Sequence, residues 1–144
     1  MKRILIFTAI VFLTISCNKT VEKEVAVKDQ FHQPDSLVIL WTSGDPDVFE
    51  KVVFPYGLNT KKQGWWKHTE LLIWGPSTKL LADHKSLQKK VIQMGDEGIE
   101  LTSCLWCADQ YDATKTLREI GVDVKYMGKP LTDYLKKGRK VITF

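Results

Sequence analysis

The feature that most constrains this chain is a regular alternation of short apolar runs with segments of helical periodicity. Five runs of this kind follow one another between residues 36 and 144, and they are Leu37–Trp41, Glu70–Trp74, Ile99–Ser103, Val122–Tyr126 and Lys140–Phe144. Between them, residues 46–63, 77–97, 108–120 and 131–137 carry apolar side chains at helical spacing. Strands and helices that take turns predict a mainly parallel β-sheet with helices on both faces. The fold class expected is therefore α/β.

Residues with strong conformational preferences mark the ends of the predicted helices. Asp45-Pro46 has the form of an N-cap followed by proline at the first helical position, and Gly98 and Gly121 end helices ahead of strands. Pro130, after Gly128, is expected to open the last helix. Pro55 falls inside the first helical pattern, where it predicts a kink or a break.

The N-terminal residues have the layout of an export signal. Lys2 and Arg3 precede an apolar run from Ile4 to Ile15, and the run ends in Ser16-Cys17. We interpret residues 1–16 as a lipoprotein signal peptide, Cys17 as the lipidated residue, residues 17–35 as a tether and residues 36–144 as one domain. Loss of Lys2 and Arg3 lowers the formal charge from +4 to +2. So small a charge argues against nucleic-acid binding.

Cys104 and Cys107 form a CxxC motif directly after the third apolar run. With Cys17 lipidated they are the remaining cysteines, and an exported protein meets oxidising surroundings in which two such thiols can pair. A zinc site is disfavoured because no second CxxC is present and the three histidines lack ligand spacing. The pattern leaves open a redox pair, a sulfur carrier with a neighbouring thiol, and two buried apolar fillers. At the start of a helix, free N–H groups would lower the pKa of Cys104 and make it the nucleophile.

Ligands of parallel sheets gather beyond the carboxyl ends of the strands. If the first and third strands are neighbours, as in the flavodoxin-like order, the loop after the first strand lies beside Cys104. The residues expected to bind a substrate at this rim are Ser43, Gly44, Asp45, Gly75, Pro76, Ser77, Met127, Gly128 and Lys129.

Several motifs together resemble the DsrE/DsrF-like family, in its small single-domain branch. The motifs are TSGDP, GWW, WGPS, CxxCAD, YMG and PLTxYL, and they span nearly all of residues 36–144. The resemblance implies a flavodoxin-like α/β/α sandwich with a five-stranded parallel sheet, assembled into trimers or hexamers. Family members that relay sulfur accept a persulfide on a strand-end cysteine, which Cys104 matches. Asp112 stands where the family's CADxYG stretch usually has Gly, so the local turn is expected to differ.

The leading hypothesis is an exported, lipid-anchored protein of the cell envelope that carries sulfur at Cys104, with Cys107 resolving a persulfide into a disulfide. We expect no metal or other cofactor, a homo-oligomer, a protein that donates or accepts sulfur, and contact with a membrane through the lipid. The alternatives are a non-catalytic ligand-binding or assembly module and a thiol–disulfide exchanger.

Overall fold

The computed structural model describes residues 35–144. The predicted signal peptide, Cys17 and all of the predicted tether except Asp35 lie outside the described residues. The strands are β1 (Ser36–Trp41), β2 (His68–Ile73), β3 (Glu100–Cys104), β4 (Asp123–Lys125) and β5 (Lys140–Thr143). The helices are α1 (Pro46–Val48), α2 (Phe54–Lys62), α3 (Pro76–Asp83), α4 (Lys85–Asp96), α5 (Leu105–Gln110), α6 (Thr114–Glu119) and α7 (Gly128–Lys136), and a π-helical turn, Phe49–Val53, joins α1 to α2.

The five strands form one parallel sheet with helices on both faces, so the predicted three-layer α/β/α sandwich is confirmed. A strand forms at each predicted apolar run, and in the central strands β1 and β2 the side chains are buried on both faces of the sheet. The strand order is β4-β3-β2-β1-β5.

This order corrects one expectation about the rim. β1 lies between β2 and β5, and β3 lies between β2 and β4, so β1 and β3 are not neighbours. The loop that lies beside the end of β3 on the side of β1 is therefore the β2–α3 loop. A sequence pattern does not show in which direction each crossover steps along the sheet, which is why the adjacency was wrong.

Pro55 interrupts the first helical segment as predicted. The break takes the form of the π-helical turn Phe49–Val53, which directly precedes α2, and Pro55 lies in the first turn of α2. Proline has no N–H to donate to the carbonyl four residues earlier, and a wider turn accommodates that missing bond.

The predicted helix ends are mostly confirmed. The Asp45 carboxylate accepts the Asp47 N–H at 2.8 Å and caps α1. Gly98 and Gly121 adopt φ of +83° and +84°, the left-handed conformation that ends α4 and α6. The last helix begins at Gly128 rather than at Pro130, which falls in its first turn, where a missing N–H costs little.

The two faces of the sheet carry two separate apolar cores. The first face packs against α2, α3, α4 and α6, with buried side chains such as Leu58, Leu81, Met94 and Leu117. The second face holds a smaller cluster, whose buried members are Val38, Leu72, Cys104, Cys107 and Met127, packed against Leu131 and Tyr134 of α7. We call these the thick core and the thin core. Both predicted site cysteines belong to the thin core.

Candidate functional site

Cys104 and Cys107 lie where the sequence placed them, at the end of β3 and in the first turn of the next helix. Cys104 is the last residue of β3 and the N-cap of α5, with extended backbone, and Cys107 lies in α5. The two thiols are free rather than joined in a disulfide, and each residue is only 4% exposed. The pair is therefore a buried dithiol at the carboxyl edge of the sheet.

The two thiols interact with each other, and Cys107 retains its proton near neutral pH. Burial raises the pKa of the Cys107 thiol above its ordinary value, and the charge and the side-chain hydrogen bond of Cys104 raise it further. The Gly75 backbone N–H acts in the opposite direction on the same sulfur. A protonated Cys107 can donate its S–H to the Cys104 sulfur, so the pair has a proton donor beside a potential nucleophile.

Gly75, one of the predicted substrate-binding residues, lies in the β2–α3 loop beside Cys107. It is the N-cap of α3, with φ of 67° and ψ of −133°, and Pro76 occupies the first helical position. This region of backbone space is open essentially to glycine alone. The loop therefore follows a path that other residues would not adopt at this position.

Ser77, a further predicted residue, is fully buried and holds the ends of β1 and β2 together. Its hydroxyl donates to the Trp41 carbonyl at 2.6 Å and accepts the Trp74 N–H at 3.1 Å. These bonds fix the chain on the strand side of Gly75. A ligand could contact the Ser77 hydroxyl only after breaking them.

The predicted residues of the β1–α1 loop lie on the far side of the β2–α3 loop from Cys104. Ser43 is half-buried and its hydroxyl accepts the Asp45 N–H at 3.1 Å, while Gly44 and Asp45 are exposed. Gly44 lies against the β2–α3 loop so closely that a Cβ there would be 3.2 Å from Cβ of Pro76. The strand order separates this loop from Cys104, so the contact between the loops runs through Pro76.

A groove that the sequence did not predict begins at this contact. It has a volume of 310 Å³, within the range of small-ligand sites, and its lining residues are Gly44, Pro76, Lys79, Leu80, Asp83, His84 and Tyr111. Two of the predicted substrate-binding residues, Gly44 and Pro76, are among them. In the sequence, the α3 side chains have the pattern of an ordinary solvated helix face. No sequence motif indicated that Tyr111 would line a groove.

The predicted residues of the β4–α7 loop divide into one buried and two exposed. Met127 is fully buried in the thin core beside both cysteines, whereas Gly128 and Lys129 are exposed. The Lys129 ammonium contacts the Asp133 carboxylate at 2.6 Å within α7. Its charge is thus already matched by a neighbour on its own helix.

A buried ionic cluster adjoins the thin core, and sequence reasoning missed it. The Glu70 carboxylate is fully buried, and it accepts the Thr102 hydroxyl and one Arg139 N–H, each at 2.7 Å. Arg139 also donates to the Ser36 hydroxyl at 2.8 Å and lies 4.3 Å from the centre of the Tyr134 ring. Burial raises the pKa of Tyr134, and the Glu70 charge adds to the effect. The available signal was a Glu inside the apolar run of β2.

Residues 35–144 contain neither a cluster of metal ligands nor a membrane span. No group of three or more His, Cys, Asp or Glu side chains in this part of the chain could hold a metal ion. No helix there is long and apolar enough to cross a bilayer.

Comparison with known proteins gives a structural relative. No family model and no curated protein matches the chain. A solved structure, that of a conserved protein of unknown function from Bacteroides thetaiotaomicron, superposes with a TM-score of 0.75 at 37% sequence identity. The match covers 77% of this chain and 96% of that one. At such identity across nearly the whole of its relative, the chain belongs to the same family as this conserved Bacteroides thetaiotaomicron protein.

Proposed function

We propose that the protein carries sulfur as a persulfide on Cys104, with Cys107 as the thiol that releases it. The observation that carries the proposal is the buried dithiol at the start of α5, in which Cys107 retains its proton beside the sulfur of Cys104. The resemblance to the DsrE/DsrF-like family, in which a strand-end cysteine accepts sulfur, supports the same reading of Cys104.

The loading step needs a donor of oxidised sulfur, and inorganic polysulfide has the required chemistry. The Cys104 thiolate attacks a terminal sulfur of the polysulfide, a new S–S bond forms, and a polysulfide shorter by one sulfur leaves with the electron pair. The S–H of Cys107 supports this step, because it can donate a hydrogen bond to the anionic sulfur on Cys104.

The test uses the full chain with Cys17→Ser, so that Cys104 and Cys107 are the remaining thiols. We expect reduced protein treated with polysulfide to gain the mass of one sulfur atom. Cys104→Ser should lose the adduct, whereas Cys107→Ser should accumulate it because no thiol resolves it. An adduct that persists in Cys104→Ser, or its absence from every variant, would contradict the proposal.

We further propose that Cys17 carries a lipid that anchors the protein in the cell envelope. The support is the layout of residues 1–17, since each buried CH₂ of an acyl chain contributes about 0.8 kcal/mol to membrane binding. Cys17→Ser should move the protein from the membrane to the soluble fraction. Protein that stays in the membrane fraction would indicate an uncleaved anchor instead. A trimer or hexamer remains the expectation from the family resemblance.

Burial of both sulfur atoms favours a second candidate, a non-catalytic ligand-binding module that uses the groove beside Pro76. Under this proposal, thiol reagents should modify Cys104 and Cys107 only after unfolding, and polysulfide should leave the mass unchanged. Under the sulfur-carrier proposal, Cys104 reacts in the folded protein. A third candidate, thiol–disulfide exchange, requires a reduction potential well above about −300 mV.

A further inference from the structure

The edge of the sheet at which the strands begin is divided by charge. Because the five strands are parallel, their first residues lie together at this edge, which we call the amino edge. Glu100 and Asp123 are the exposed first residues of β3 and β4, and Asp123 pairs with Lys125. In the other half of the sheet, the exposed Lys140 begins β5 and the exposed Lys67 directly precedes β2. The part of the amino edge formed by β2, β1 and β5 is therefore the basic part.

The last turn of α7 adds two cations to this part of the edge. α7 follows β4 and precedes β5, so it returns the chain to the amino edge, where Lys136 and Lys137 are exposed. Asp133, the one carboxylate in the sequence of α7, contacts Lys129 at 2.6 Å. Leu135, directly before Lys136, is 60% exposed, and an apolar side chain flanked by lysines is typical of helices that lie on membranes. We call the four lysines at positions 67, 136, 137 and 140 the basic edge.

The chain enters the described domain in the middle of the basic edge. Asp35 ends the predicted tether, and its carboxylate lies 3.9 Å from the Lys67 ammonium. The next residue, Ser36, begins β1, and its hydroxyl accepts the Arg139 Nε–H at 2.8 Å. β1 lies between β2 and β5, about 5 Å from each. Lys67 and Lys140 therefore flank the point at which the tether joins the domain.

We propose that the basic edge is the surface of the protein that faces the membrane, and that it contacts the anionic headgroups of the bilayer. This inference rests on the proposed lipid anchor at Cys17 and deepens it, because the anchor holds the protein at a membrane without determining which surface meets the lipid. Residues 17–34 can span at most about 65 Å. An anchored copy therefore keeps the basic edge, which surrounds residue 35, within reach of the headgroups.

The spacing of the cations and the position of the tether favour a bilayer over a small anion or an acidic protein. The cations come from three separate segments, and β2 and β5 lie about 10 Å apart, so the lysines are spread over one end of the domain. An extended array of anionic headgroups matches such a surface, and each cation close to it strengthens binding about fivefold. The exposed carboxylates of Glu100 and Asp123 are repelled, so we expect the β5 side of the edge to lie closest to the lipid.

The first test measures binding to vesicles without the lipid anchor. The full chain with Cys17→Ser is mixed with vesicles of phosphatidylglycerol and phosphatidylcholine in equal parts, or of phosphatidylcholine alone, and bound protein is measured by sedimentation. The ratio of the two partition coefficients reports the preference for anionic lipid, and it cancels any binding by residues 1–34 that does not depend on charge. A variant with Lys136→Gln, Lys137→Gln and Lys140→Gln should lower this ratio by more than about tenfold.

The matched control carries Lys85→Gln, Lys89→Gln and Lys115→Gln. These lysines are also exposed, and they lie in α4 and α6, which cover the opposite face of the sheet. The change in net charge is the same, but charges far from the bilayer are screened, so the ratio should fall by less than about twofold. An equal fall in both variants would show attraction by net charge alone and would overturn the inference. An unchanged ratio in the edge variant would also overturn it, and an acidic protein would then be the better partner for this surface.

A second measurement needs no substitution in the basic edge. An acetylating reagent is applied to the Cys17→Ser protein, free in solution and bound to the mixed vesicles, and the rate at each lysine is measured by mass spectrometry of its peptides. Vesicles should slow the reaction of Lys136, Lys137 and Lys140, whereas Lys85 and Lys115 should keep their rates. Protection that is absent, or equal in the two sets, would overturn the inference. Neither measurement involves a lipid on Cys17, so failure of the anchor and failure of the membrane-facing edge are separate results.

Discussion

The two faces of the sheet differ in how they are covered and in what they hold. Three successive crossovers, from β1 to β4, step along the sheet in one direction, and the crossover from β4 to β5 returns past β1. Because crossovers share one hand, the first three place their helices on one face and the last places α7 on the other. The buried polar side chains beside the thick core, such as Thr60, Thr69 and Gln88, are uncharged. The thin core contains the dithiol and adjoins the buried Glu70 carboxylate. The buried thiols and the buried ion pair therefore lie on the face of the sheet that α7 alone covers.

The largest effect is expected from breaking the ionic cluster beside the thin core. Arg139→Ala leaves the fully buried Glu70 carboxylate without its cation and should lower the free energy of unfolding by about 3 to 5 kcal/mol, measured by urea denaturation. Lys115→Ala breaks an exposed pair with Glu119 and should cost less than about 0.5 kcal/mol.

A double variant separates charge from packing in this cluster. Replacing both Glu70 and Arg139 by Met removes the unpaired charge, so it should cost less than Arg139→Ala alone. If the double variant is the less stable of the two, the cluster contributes through its shape and hydrogen bonds rather than through charge pairing.

A matched pair of leucine truncations compares the two cores directly. Leu81 in the thick core and Leu72 in the thin core are both fully buried. Leu81→Ala should cost about 3 to 4 kcal/mol, and Leu72→Ala about 2 to 3 kcal/mol, because a site under a single helix collapses more easily around the cavity. Leu72→Ala should also speed modification of Cys104 by a thiol reagent, whereas Leu81→Ala should not. Equal costs and equal labelling would mean that the two cores are equally rigid.

The smallest effect on stability is expected at the turn that follows α5. This helix contributes to both cores, since Cys107 belongs to the thin core and Ala108 to the thick core. Asp112 is exposed and adopts φ of +51°, so it takes the left-handed conformation that glycine would adopt without strain. Asp112→Gly should raise the free energy of unfolding by about 0.5 to 1 kcal/mol. Gln110→Gly, in the last position of α5, should lower it by a similar amount. A destabilised Asp112→Gly protein would show that the Asp112 side chain, not its backbone, decides the turn.

The fold could be predicted from the sequence because its determinants are local. Apolar runs, the Asp45 cap, the glycines at positions 98 and 121 and the break at Pro55 each act within a few residues. The strand order could not be predicted, since it depends on where each crossover returns. Asp112 illustrates both sides. The sequence predicted a different turn because Asp stands where the motif that it resembles has Gly, and the structure gives Asp112 the positive φ that glycine favours.

The part of the site that lies at the carboxyl ends of the strands could be predicted from the sequence, because ligands of parallel sheets gather there. That rule located Cys104, Cys107 and Gly75, although it assigned the wrong loop as the neighbour of Cys104. It could not find the partner of Glu70, because Arg139 lies 69 positions away in the chain. The groove was missed for a similar reason, since Tyr111 meets α3 only in the folded protein.

The edges of the sheet bear on how copies of this protein could associate. The edge strands β4 and β5 have three and four residues, and β4 presents the exposed charges of Asp123 and Lys125. Short, charged edges offer few free backbone groups to an incoming strand, so they oppose continuation of the sheet from one molecule into the next. An assembly of copies is therefore expected to form through helices or loops, which would leave each sheet a closed unit and keep strand exchange and fibrillar growth unfavourable.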